Sequence, residues 1–159
     1  MRRAATTGPA ALALAAALLA CARKAEAPPA SPGPQSFAFS VMELRDAALN
    51  ARDLDTAARA YAEDAEVIDA DTTLVLLRGR AEIRTAHARF LAACPDARLD
   101  VVDRAYADGG RIVADLERVR CRGAPPVESR VRYEIDRGTI LRVLQHGSPL
   151  FPAVPGGRP

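Results

Sequence analysis

The sequence contains no tryptophan, and all aromatics together make up only 4% of its 159 residues. With so few rings, any pocket is expected to be walled by aliphatic groups. Histidine occurs twice and cysteine three times, with no CxxC or HxxxH spacing. A zinc site would need ligands scattered along the chain, and no metal or other cofactor is expected. A glycine-rich phosphate loop is also missing, because Gly109-Gly110 reads as a turn between strands. Positive charge is nowhere clustered, with 22 basic residues against 20 acidic ones. Nothing in that balance favours a nucleic-acid partner. The apolar run from Ala10 to Ala20 is too short to cross a bilayer as a stable helix. What is present is an ordinary apolar fraction of 49%, much of it alanine, in a chain long enough for one domain with a real core.

The N-terminus reads as an address. Met1-Arg2-Arg3 is a positive segment, followed by the apolar run and then Leu18-Leu19-Ala20-Cys21. That tetrad resembles the lipobox of bacterial lipoproteins. The resemblance implies removal of residues 1–20, diacylglycerol on the Cys21 thiol and acylation of the new terminus. Several acyl chains give firm anchoring, since each buried CH₂ contributes about 0.8 kcal/mol. The other reading is an ordinary secretory signal that happens to contain a cysteine. Loss of Arg2 and Arg3 leaves the mature chain formally neutral. Ala22 supplies no acidic retention signal, so the expected place is the periplasmic face of the outer membrane, if the cell has one. Residues 21–36 form a Pro- and Ala-rich tether, and residues 147–159 a Pro- and Gly-rich tail.

Between them lies the domain, residues 37–146. Helical spacing is expected over Phe37 to Asn50, over Leu54 to Ala62 behind Asp53 or Asp55 as a cap, and over Ala81 to Ala93, ended by Pro95. Short strands are expected at Glu66 to Ala70 and Leu74 to Leu77. Longer ones follow at Arg98 to Ala107, Arg111 to Arg122, Val127 to Ile135 and Thr139 to His146. A two-residue turn at Asp108-Gly109 sets Val101 opposite Leu116. Pairing Leu116 with Tyr133 and Arg118 with Val131 keeps one face apolar and sets Glu117 opposite Arg132. The other parity mixes charges into that face and is rejected. A three-residue loop ending at Gly138 pairs Tyr133 with Leu141. The concave face then carries Ile112, Ala114, Leu116, Arg118, Val131, Tyr133, Leu141, Val143 and Gln145. The outer face carries Val113, Ile140 and Leu144 among charges, which suggests a homodimer through the sheet.

Four segments carry a family resemblance. Residues 48–55, ALNARDLD, look like an "ALNAGDLD" corner, and Tyr61 to Ala65 like "YADDA". Arg78 to Ile83 look like "RGREAI", and Tyr133 to Ile140 like an "F-R-F-x-D-G-K-I" hairpin. In this order they resemble the SnoaL-like, nuclear transport factor 2-like superfamily over roughly residues 40–146. The resemblance implies an α+β cone, also called cystatin-like, with three N-terminal helices on a curved antiparallel sheet and a pocket at the wide end. It leaves the activity open, because the fold hosts isomerases, cyclases, dehydratases and binding proteins.

Asp69 matches the position of the proton-moving Asp in the ketosteroid isomerase branch. The oxyanion donors of that branch would fall at Arg45 and Val131, so its reaction is not expected. Asp69 is alternatively a solvated or capping residue beside a turn. His87, on the inward stripe of the third helix, is either a proton carrier opposite Asp69 or a core residue. His146 is expected to point outward. Leu116, Arg118, Val131, Tyr133, Val143 and Gln145 are the expected pocket wall. Arg118 either meets a ligand oxygen or snorkels toward an acid such as Asp103. With Cys21 committed to lipid, Cys94 and Cys121 remain as a pair. The register brings Cys121 opposite Asp96, close enough for a disulfide, although two separate thiols are the alternative. The expected function is a membrane-anchored pocket protein for a small apolar or amphipathic molecule. The alternatives are an acid–base enzyme using Asp69 and His87, and a non-catalytic dimeric assembly module.

Overall fold

A computed structural model describes residues 34–147. The Cys21 lipid site, most of the tether and the tail beyond Gly147 lie outside the described residues. Three helices and six strands follow in the order α1 (Pro34–Ala51), α2 (Leu54–Arg59), β1 (Tyr61–Asp69), β2 (Val75–Arg78), α3 (Arg80–Ala93), β3 (Arg98–Ala107), β4 (Ile112–Arg120), β5 (Val127–Asp136) and β6 (Thr139–His146). Helix α1 starts inside the expected tether, at a proline whose missing N–H costs nothing in a first helical turn. Asp53 caps α2, its Oδ1 accepting from the Thr56 amide at 3.0 Å.

Helix α2 stops at Arg59, earlier than its apolar spacing suggests, because Tyr61 opens β1 instead. The Ala60 carbonyl accepts from the Ile140 amide at 2.8 Å and so starts the pairing of β1 with β6. At the entry to α3, Gly79 has φ +84°, and a Cβ there would sit 3.2 Å from the Glu63 carbonyl oxygen. Glu82 reaches back to the Arg78 amide at 2.8 Å, which closes the helix start.

The sheet order is β2-β1-β6-β5-β4-β3. Every neighbouring pair is antiparallel except β1 and β6, which run parallel. The sheet is therefore mixed and not purely antiparallel. The last strand is inserted beside the first, and the two halves of the chain meet there.

The registers differ from the sequence reading at each hairpin. Asp108, Gly109 and Gly110 all take positive φ, so the β3–β4 turn is wider than two residues and Ala107 pairs with Ile112. A further shift near Val102 sets Val101 opposite Glu117. Strand β4 pairs with β5 in the parity rejected above: Val113 with Tyr133, Asp115 with Val131, Glu117 with Ser129. The β5–β6 turn is the two-residue Arg137-Gly138, both at positive φ. A shift between Glu134 and Ile135 then brings Tyr133 opposite Val143, not Leu141.

The inward face consequently holds Val113, Asp115, Glu117 and Val119 from β4, Ser129, Val131, Tyr133 and Ile135 from β5, and Ile140, Val143 and Gln145 from β6, all buried. Val113 and Ile140 are core residues and do not belong to the outer face. Leu116 and Arg118 point outward, where Arg118 pairs with Glu128 at 2.6 Å. The helices cover the inward face with Ala38, Val41, Met42, Arg45 and Ala48 from α1, Ala57 and Ala58 from α2, and Ile83 and His87 from α3.

Candidate functional site

Two acids on the inward face of β4 need partners, and α1 supplies the central one. Arg45 falls on the buried stripe of α1, one turn from Val41 and Met42, and is 3% exposed. Its Nη1 donates to Glu117 Oε1 at 2.8 Å and to Asp46 Oδ1 at 2.7 Å. Its Nε donates to the Tyr61 hydroxyl at 2.9 Å. The guanidinium carbon lies 4.8 Å from the centre of the Tyr133 ring, and the Tyr133 hydroxyl donates to the same Glu117 Oε1. Beyond Asp46 the network continues to Arg104, which reaches Asp46 at 2.6 Å and Asp115 at 2.8 Å.

Burial works against the Arg45 charge. Glu117, the two tyrosines and Asp46 outweigh it and hold the guanidinium well above its usual pKa. Burial pushes Tyr133 well above, and Tyr61 above, the ordinary phenol range, with Arg45 opposing both. Both phenols therefore stay protonated and serve as hydrogen-bonding groups.

A cavity of about 40 Å³ opens above Arg45 and Glu117. Its deep end is formed by Arg45, Glu117, His87, Val119 and Ala97, all buried. Half-buried Leu49, Asn50, Phe90, Leu91 and Leu99 surround the upper part, with exposed Arg98 at the rim. Asn50 fixes one side: its Nδ2 donates to the Leu99 carbonyl and its Oδ1 accepts from the Leu99 amide, both at 2.9 Å. The Cys94–Cys121 disulfide joins the end of α3 to the chain leaving β4, with Cα atoms 5.9 Å apart. The expected pair is thus bonded. Asp96 adds to the tie by accepting from the Arg122 amide at 3.0 Å.

Of the candidate catalytic and pocket residues named from the sequence, only His87 lines this cavity, together with Arg45, which the sequence reading named only as the residue replacing an oxyanion donor. Burial, followed by the Arg45 charge, pushes its imidazole down to about 3, against a hydrogen bond with the Ile83 backbone. The ring is neutral at physiological pH and lies 6.0 Å, centre to centre, from Tyr61. Asp69 stands elsewhere, at the end of β1, where its Oδ1 accepts from the Asp71 and Thr72 amides at 2.9 and 3.1 Å. It caps the turn into β2, and the two candidate catalytic residues do not share the cavity. His146 points outward and approaches Asp71 at 3.1 Å. Tyr133 lies in the network below the cavity. Val131 and Val143 are core, and Gln145 is buried at the far end of β6 opposite Val131. Leu116 and Arg118 are on the other side of the sheet. Sequence reading placed Arg45 at a lost oxyanion position and Glu117 on the outer face opposite Arg132, and missed their pairing, although Arg45 sits on an otherwise apolar helical stripe and Glu117 alternates with Val113 and Val119.

A cone of three helices on a curved mixed sheet, with a small cavity between α1, α3 and β4, defines a protein of the cystatin-like, nuclear transport factor 2-like class. Residues 41–148 match the SnoaL-like domain, and the chain belongs to that family. No curated protein matches it in sequence. Among solved structures, an uncharacterised cystatin-fold protein from Novosphingobium aromaticivorans superposes with TM-score 0.60 at 22% identity, over 68% of this chain and 96% of that one. A candidate ketosteroid isomerase from Kribbella flavida gives TM-score 0.59 at 23% identity, over 80% and 86%. A candidate polyketide cyclase from Sinorhizobium meliloti gives 0.57 at 18%, over 67% and 93%. These likenesses show the fold.

Proposed function

We propose that this SnoaL-like domain is a pocket protein that binds a small apolar or amphipathic molecule in the cavity above Arg45 and Glu117. One observation carries the reading: an apolar cavity walled by Leu49, Phe90, Leu91, Leu99 and Val119 lies over the buried Arg45–Glu117 pair, a concave apolar space of the kind that small-molecule sites use. Binding is favoured over acid–base turnover by Asp69 and His87, because Asp69 is spent on a turn and does not share the cavity with His87. The lipobox resemblance at Leu18 to Cys21 supports a lipid anchor that keeps the domain at the envelope. Leu116 and Leu144, on the outer face, support pairing of two copies through the sheet.

The absence of tryptophan from the chain offers a direct test of the pocket. Phe90→Trp places a single indole at the cavity opening. Addition of small apolar alcohols, ketones and acids should shift its emission saturably, and Ala97→Leu, which narrows the deep end, should weaken that response. A linear, unsaturable response would overturn the assignment.

A further inference from the structure

The polar side chains around the cavity are spent or turned away. Asn50 gives both ends of its amide to the Leu99 backbone. Arg45 Nη1 and Nε donate to Glu117, Asp46 and Tyr61. Glu117 Oε2 and both His87 ring nitrogens are inaccessible. What faces the cavity is therefore almost wholly carbon. Ala97 and Val119 present it at the deep end, Leu49, Phe90 and Leu91 in the upper part, and the exposed side chain of Arg98 stands at the rim.

Such a space treats the two ends of an amphipathic molecule differently. A hydroxyl, carbonyl or charged head brought inside gives up its bonds to water and finds no replacement, and a charge loses most. A methyl or methylene has no such bonds to lose, and burying one methylene is worth about fourfold in affinity. The volume of about 40 Å³ holds roughly three waters, or an alkyl end of about three carbons.

Resting on the pocket reading above, we infer that the cavity takes its ligand tail first: an alkyl end fills it, and the head stays in water at the rim beside Arg98. The ligand class is an amphipathic molecule with a hydrocarbon end, chosen by the length of that end and not by the chemistry of its head.

The test titrates the full chain with the 1-alkanols from ethanol to 1-hexanol, and with butylammonium and butyrate, while the methyl resonances of Leu49, Leu91, Ala97 and Val119 are followed. Affinity should rise about fourfold for each added methylene until about three carbons are housed, and by less for each one after that. 1-Butanol, butylammonium and butyrate should agree within about fivefold, the range that an exposed charge contact spans. In the 1-butanol complex, intermolecular NOEs should join the terminal methyl to Ala97 and Val119, and the carbinol protons to Leu49 and Leu91. A flat length series, a wider spread among the heads or the reverse NOE pattern overturns tail-first entry and leaves the pocket standing. No saturable shift of the cavity methyls with any probe removes both. Val119→Ala, which deepens the cavity, should move the break in the length series to a longer chain, and an unmoved break also overturns the inference. Should Val119→Ala fail to fold, the wild-type series decides alone.

Discussion

Arg45 on α1 and Glu117 on β4, distant in sequence, meet at 2.8 Å with side chains 3% and 0% exposed. Removing one member of such a pair leaves the other charge buried without compensation, whereas removing both costs far less. Arg45→Met should therefore lower stability by about 3–5 kcal/mol. Arg45→Met combined with Glu117→Leu should recover most of that loss. Urea denaturation of the two variants checks this, and a double variant no better than the single one would refute the coupling.

His87 makes stability depend on pH in a defined window. Its folded pKa is about 3, against an ordinary value of 6.5. Between those values the unfolded chain binds a proton that the folded chain refuses, so stability falls as pH falls from 6.5 toward 3. The slope should approach about 1.4 kcal/mol per pH unit from this residue alone. His87→Gln should remove that contribution while other acid-sensitive groups remain, and the difference between the two stability–pH curves isolates it.

Asp69 is expected to behave as a turn residue. Asp69→Ala loses the acceptor for the Asp71 and Thr72 amides, which should cost about 1 kcal/mol. Probe affinity should not change. Titration of the cavity methyls alongside thermal melts distinguishes this outcome from a ligand-contacting role, in which affinity would fall and stability would not.

The Cys94–Cys121 bond closes a loop with a sequence separation of 27. Its loss should cost about 3–4 kcal/mol in the chain-entropy account, whose mechanism is disputed. The paired Cys94→Ser and Cys121→Ser variant, compared with wild type in urea, measures it. Thiol titration of the denatured, unreduced mature domain should find neither cysteine free.

For the envelope reading, wild type should partition into the detergent phase after expression in a bacterial host that processes lipoproteins. Cys21→Ser should remain uncleaved or soluble. Wild type recovered in the aqueous phase would remove the anchor.

Local signals placed most elements because each rests on neighbouring residues: the Asp53 cap, Gly79 before α3, Pro95 after it, Gly138 at the last hairpin. The pairing parity of β4 and β5 was not legible for the opposite reason. The choice turned on keeping charge off the inward face, which is sound when no partner is available. Here Arg45 arrives from α1 to satisfy Glu117, and Arg104 from β3 to satisfy Asp115, so the buried face tolerates two acids among its apolar residues. Turn widths added to the error, since three consecutive positive-φ residues at Asp108 to Gly110 cannot be distinguished from a tight Asp-Gly turn by composition. The candidate site moved with the parity. Leu116 and Arg118 went to the outer face, and the polar floor passed to residues whose role depends on contacts between distant parts of the chain.

The parallel pairing of β1 with β6 has a consequence for how the chain must assemble. Hairpins among β3, β4, β5 and β6 can form from neighbours in sequence, but β1 gains its second partner only after nearly the whole domain has been made. Until then β1 is paired only with the short β2. A chain stopped before Thr139 would present two open strand edges, on β1 and on β5, each a template for pairing with another molecule. Synthesis of the last strand is the event that turns an aggregation-prone intermediate into a closed domain.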